Sequence, residues 1–171
     1  MTFARTKLMI QDNCFEEEPS QLELNYIGPN PQRLYDKTYE LLKVVFRIGD
    51  SDIQEDEYTW GKGKIEKFKV RWWVHKDLDK FSYLWIRVRL AGEGDEKSGT
   101  AKIDLKPMLR TEYPQDTVWQ KSILYEMIRT MWHRMFYHRQ RFDYAEECRH
   151  MTITYQHQMQ EFFKQLRERY G

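Results

Sequence analysis

Glu147 and His150 form a Glu-x-x-His pair, a spacing that sets a carboxylate and an imidazole on one helix face. A carboxylate-bridged di-metal site needs two such pairs and two further glutamates from other helices, and this chain has one pair. His133 and His138 diverge on a helix, while His150 and His157 share a face but stand two turns apart, too far for one ion. No metal site and no cofactor are therefore expected. Cys14 and Cys148 belong to no Cys-x-x-Cys pair, which excludes zinc ribbons and thioredoxin-like chemistry. A disulfide between them is one reading; the expected one is two free thiols in a reducing cytosol. The chain lacks a Gly-x-Ser-x-Gly elbow, a P-loop and a dinucleotide fingerprint, and Gly61-Lys62-Gly63 is a strand-linking turn. No polar residue stands out on an apolar face as an acid or base, so catalysis is left open but unsupported.

A second set of residues could bind rather than react. By strand parity Lys67, Lys69, Arg71 and Trp73 share a face with Tyr83, Trp85, Arg87 and Arg89, and with Lys102 and Lys106. Cations attract phosphate and flat aromatics stack on unpaired bases, so RNA or single-stranded nucleic acid is one partner for this face. A partner interface and a plain solvated face, with aromatics packed across strands, are the others. Asp104 lies on this face and is expected to pair with Arg87 or Lys102.

The elements that must position these residues follow from periodicity. A short strand is expected at Lys7 to Ile10, then the acidic Cys14-Phe15-Glu16-Glu17-Glu18-Pro19, then a strand at Leu22–Ile27 closed by Gly28-Pro29. Asn30 is placed to cap a helix with Pro31 in its first turn and Leu34, Leu41, Leu42, Val45 and Phe46 at helical spacing up to Gly49. Strands are expected at Ile53–Trp60, Lys64–His75, Phe81–Ala91 and Thr100–Lys106, with a separate edge piece through Leu109–Tyr113. Their short connections imply an antiparallel meander. After Pro114 the period is helical to the end of the sequence. Leu124, Ile128, Met131, Met135, His138, Phe142 and Ala145 step by 4 and 3, and Cys148, Thr152, Tyr155, Met159, Phe162 and Leu166 resume after two consecutive steps of 3. At 1.5 Å per residue about 50 helical residues would span roughly 75 Å, so the helix bends back near 143–148 or projects.

The expected fold class is α+β, an antiparallel meander gripping a long C-terminal helix, with a shorter helix near the N-terminus. Phe68, Val70, Trp72, Val74, Leu84, Ile86, Val88, Leu90, Ala101, Ile103 and Leu105 form the face to be covered, and the helices at 30–47 and 115–140 are expected to cover it. The organisation expected is an N-terminal extension over 1–19, a domain over 20–140 and a helical extension over 141–171. In that extension Tyr155, Met159, Phe162, Phe163, Leu166 and Tyr170, flanked by Lys164, Arg167 and Arg169, either fold back or pair with another chain as a homo-oligomer.

Composition sets the class. With 171 residues, 40% hydrophobic, a core is affordable in length and apolar content, and no run is long enough for a membrane span. The net charge of +1 is a cancellation. Residues 1–60 hold 6 basic and 12 acidic side chains, 61–110 hold 13 and 7, and 111–171 hold 9 and 8, so an anionic partner is not excluded. A cytoplasmic protein is expected.

Tyr26-Ile27-Gly28-Pro29-Asn30-Pro31-Gln32-Arg33-Leu34-Tyr35, and Gly92 through Ile103 with Gly99-Thr100 entering a strand, together with the element order, resemble the helix-grip (START-like, polyketide cyclase-like) superfamily over about residues 20–140. The resemblance implies a cavity between the apolar sheet face and the C-terminal helix for a hydrophobic small molecule or lipid, and in some members cyclisation or hydrolysis. Its lining here would be Phe68, Val70, Trp72, Leu84, Ile86, Val88, Ile103 and Leu105, with Leu124, Met127, Ile128, Met131 and Met135 from the helix. The competing reading is that these residues simply fill the core. A non-catalytic ligand-binding or interaction module is the leading expectation.

Overall fold

The computed structural model describes residues 9–15 and 20–170. Lys7 and Leu8 of the expected first strand, and Glu16 to Pro19 of the acidic stretch, lie outside the described residues. The elements run β1 (Met9–Asn13), β2 (Leu22–Ile27), α1 (Leu34–Phe46), β3 (Ile53–Gly61), β4 (Glu66–Asp77), β5 (Ser82–Gly94), β6 (Gly99–Glu112), α2 (Ile123–Trp132), a π turn (His133–Tyr137) and α3 (His138–Tyr170). Strands β3 to β6 form the expected meander, and β1 and β2 both pair antiparallel with the free edge of β6. The fold is α+β with a six-stranded antiparallel sheet. Among the described residues, no helix is long and apolar enough to cross a membrane.

The expected strand at Thr100–Lys106 and edge piece at Leu109–Tyr113 are one strand, running through Pro107. Proline is normally a reason to end a central strand, because it has no N–H for the ladder. Within a strand a residue's N–H and C=O point to the same neighbour. Pro107 O accepts from Cys14 N at 3.2 Å, so its missing N–H also faces that edge. There β2 pairs with residues 100–105 and β1 with residues 108–112. The proline therefore falls at the gap between two short partners.

Asn30 does not cap the helix. It adopts a left-handed conformation (φ 54°, ψ 48°), which asparagine tolerates better than most residues, and its amide nitrogen donates to Glu96 O. A 3-10 turn over Pro31–Arg33 leads into α1, which ends at Phe46, before the expected Gly49. Pro31 packs on the β5–β6 hairpin, where a Cβ at Gly94 would meet Pro31 Cγ at 2.7 Å.

The parity of the sheet is as expected: Phe68, Val70, Trp72, Val74, Leu84, Ile86, Val88, Leu90, Ile103 and Leu105 are all buried. Their cover differs from expectation in one half. Leu34, Leu41, Leu42 and Phe46 of α1 pack there, and the second helix is the 148–166 part of α3, through Cys148, Met151, Tyr155, Met159, Phe163 and Leu166. The region 115–140 does not supply it. The fold-back alternative for the C-terminal segment is thus the one realised, with Tyr170 left at the surface under Arg33.

The free-thiol expectation is also corrected. Cys14 and Cys148 form a disulfide, and both are fully buried. Sequence separation hid this pairing. By lying along β6, β1 carries Cys14 to the underside of α3, with a Cα–Cα distance of 6.0 Å.

Candidate interaction surface

The helical run from residue 123 to 170 has a single buried side, and following it residue by residue shows a change of chemistry. From Cys148 onward that side is apolar. Before it, the side facing the body of the protein carries Arg129, His133, Tyr137, Arg141 and Tyr144. The π turn adds a wide turn to the helix, and the step of 3 and 3 at 142–148 shifts the sequence stripe against it. Of the two outcomes expected, a bend near 143–148 or projection, α3 runs unbroken through 143–148, and the irregularity of the run lies at 133–137. The two apolar stripes consequently face different ways.

The inward polar side is a connected network. Asp79, in the β4–β5 turn, accepts from the Phe81 and Ser82 amides (2.7 and 2.8 Å) and from the Tyr137 and Tyr144 hydroxyls (2.7 and 2.9 Å). Ser82 Oγ bridges Tyr137 and Thr111, and Arg141 reaches both Thr111 and Asp12. Burial alone would raise the Asp79 carboxyl, but the donors, Tyr137 first, hold it below the usual carboxylate range. Tyr113 meets His133 Nδ1 at 2.5 Å. Burial pushes the Tyr113 hydroxyl up to about 12 and the His133 imidazole down. Arg129, 5% exposed, pairs with Glu126 and lies over the Tyr113 and Tyr125 rings, yet its Nε and Nη1 find no acceptor among the described residues. At its edge Asp12 and Arg141 also line a depression of about 340 Å³ together with His138 and Phe142, and the hydrogen bonds of the network clamp the helix to the sheet.

The outward side is the opposite. Ile123, Leu124, Met127, Ile128, Met131, Met135, Phe136 and Phe142 are each 49% to 66% exposed, with Val118 and Trp119 just ahead of them. Leu124, Met127, Ile128, Met131 and Met135, expected to line a cavity, are on this solvent side. The sheet members of that set, Phe68 to Leu105, are instead packed together in the core. The depressions on the surface touch the set at Phe68, in a shallow groove of about 670 Å³ beside Gly92 and Thr100.

The basic sheet face is assembled as the parity required, but most of it is already partnered. Lys67 pairs with Glu93, Lys69 with Glu57, Arg71 with Asp56, and Lys102 with Glu23 and Asp104, at 2.6 to 3.3 Å. Trp73 and Trp85 stack on each other at 5.2 Å, His75 and Tyr83 at 4.5 Å, and Arg110 covers Trp85. Arg87, Arg89 and Lys106 remain.

The Asp79 network escaped the sequence reading because its members come from six separate segments, the β4–β5 turn, β5, β6, β1, the π turn and α3. A signal did exist: Arg129, His133, Tyr137 and Arg141 step by 4 along the helix, a second stripe that is polar. Neither the family models nor the curated proteins searched contain a match to this chain.

Proposed function

We propose that this chain is a non-catalytic docking module that seats the outward apolar side of α2 and the π turn in the interface of an anionic lipid bilayer. The observation that carries this reading is the inverted helix: a partly unpaired arginine is buried beneath α2 while leucine, isoleucine, methionine and phenylalanine face solvent. Burying a polar group without its partners is costly, and so is leaving a contiguous apolar stripe in water. The second cost is removed when the stripe is inserted in an apolar phase, and that gain offsets the first.

Charge selects the occupant. From Asp116 to Asp143 the exposed charged side chains are Lys121, Arg134 and Arg139 in the middle and Asp116 and Asp143 at the two ends, and the carboxylate between them, Glu126, is held by Arg129. Two copies meeting through this stripe would bring like charges together. An anionic bilayer gains about 1 kcal/mol for each cation near it, and the Trp, Phe and Met side chains suit the headgroup boundary. The helix-grip relationship is part of the proposal, supported by α3 lying across the apolar sheet face. A membrane face in an oxidising compartment accords with the Cys14–Cys148 disulfide better than a cytoplasmic one does.

The test is co-sedimentation with vesicles of phosphatidylcholine, with and without one quarter phosphatidylglycerol. Wild type is expected to bind the anionic vesicles, and Met127→Glu with Met131→Glu to lose at least tenfold while melting as wild type does. Failure of wild type to bind either vesicle overturns the reading. So does a concentration-dependent dimer abolished by the same substitutions, which would give the stripe to a second copy.

A further inference from the structure

We propose that Arg87, Arg89 and Lys106 form a binding site for a single phosphate group on the outer face of the sheet. This site is independent of bilayer docking by α2. Register brings the three together: Arg87 lies directly opposite Lys106 on β6 and Trp73 on β4, and Arg89 follows two residues on along the same face, opposite Arg71. Directly opposed side chains in an antiparallel pair have Cβ atoms about 4.5–5.5 Å apart, so Arg87 and Lys106 leave the sheet side by side, within reach of one ligand.

What distinguishes these cations is that they are unspent. The other four cations of the face each hold a carboxylate, whereas the side chains of Arg87, Arg89 and Lys106 make no hydrogen bond or ion pair among the described residues. Asp104, the carboxylate opposite Arg89, is turned to Lys102 at 3.3 Å. Arg71, the fourth cation here, is occupied by Asp56. Arg87 is half-buried, and burial together with Arg89 and Arg71 works against its charge more than Asp104 supports it. Like charges directly opposite are destabilising, and an acid at any one position would have relieved them.

The ligand class follows from what the neighbours cannot do. Trp73, Trp85, His75 and Tyr83 are stacked on one another, which removes the platforms a nucleic-acid base would use. Three free cations are also short of the six to ten phosphate contacts typical of a bound duplex, and match one group. Guanidinium forks take phosphate oxygens two at a time, and a lysine adds a point charge, so a phosphomonoester or inorganic phosphate dianion is the complement.

Inorganic phosphate titrated calorimetrically into the full chain at low salt is expected to give saturable one-to-one binding. Arg87→Gln with Lys106→Gln should weaken it at least tenfold, whereas Lys67→Gln, at a paired position of the same face, should change it less than twofold. If the double variant does not fold, Arg89→Gln alone, at an exposed position, is expected to weaken binding severalfold. Absence of saturable binding by wild type, or equal binding by the variants, overturns the proposal. So does oligonucleotide binding that phosphate fails to displace. A parallel arm with phosphatidate vesicles and the Met127→Glu, Met131→Glu protein separates the sources. Affinity per phosphate equal to that of the free ion keeps the site with a soluble ligand, and a tenfold preference for the vesicle keeps it with a lipid headgroup.

Discussion

The two halves of the C-terminal helix are a controlled comparison within one chain. Residues 148–166 turn Cys148, Met151, Tyr155, Met159, Phe163 and Leu166 onto the sheet, and residues 123–142 turn Arg129, Tyr137 and Arg141 inward and their apolar residues out. Both halves have an apolar stripe of ordinary helical spacing. The difference lies in the phase between stripe and body, set by the π turn and the residues around it. Amphipathic pattern therefore tells that a helix has a face to bury, and not against what.

The comparison is broken most directly by truncating one side chain in each half. Phe163→Ala removes a ring packed at 5.0 Å on Tyr26, and denaturant unfolding should show a loss of about 3–5 kcal/mol. Reduction of Cys14–Cys148, which ties the inward half to the end of β1, should cost about 2–4 kcal/mol in the same assay. Tyr137→Phe, which strips the hydroxyl shared by Asp79 and Ser82, should cost about 1–3 kcal/mol and loosen the amide-exchange protection of α2 before that of α3.

Acid should separate the halves further. The His133 imidazole is depressed in the fold, so its contribution to stability is complete above its ordinary value of about 6.5 and is lost as pH falls below it. Hydrogen exchange at pH 7.5 and 5.5 should show α2 weakening while 148–166 holds, and His133→Gln should flatten that difference. The smallest effect is expected at Met131→Ser, 59% exposed, which should move stability by no more than about 0.5 kcal/mol. A large loss there would mean that the outward stripe is covered within the monomer, and the comparison would fail.

The sheet was legible because parity is unforgiving: a strand slipped by one residue would put Trp72 and Val74 in water and Arg71 and Trp73 in the core. The apolar rows of β4, β5 and β6 follow from alternation alone. The helix was not legible, because both of its apolar stripes satisfied the same local rule and nothing local says which one meets the sheet. Pro107 misled for a related reason. The cost of a missing N–H depends on whether a partner strand happens to end there, and that is decided by β1 and β2, some 80 residues away or more. The basic face was correctly gathered, but its charge was overcounted, since Glu23, Asp56, Glu57 and Glu93 sit on the same side. Three unpaired cations are what parity left after that neutralisation.

The disulfide has a topological consequence. Residues 14 to 148 form a closed covalent ring that contains α1, α2 and five of the six strands, and only β1 and most of α3 stand outside it. A protease that cuts the exposed turn at residues 61–65 would open the ring into two peptides held together by the disulfide, without releasing any mass. The nicked molecule would migrate as one species until a reductant is added, and then as two. The same ring means that the order of β2 to β6 cannot be undone by pulling on both ends of the chain, because the pulling force would pass from β1 to α3 across the sulfur bridge and load the β1–β6 pairing alone within the sheet.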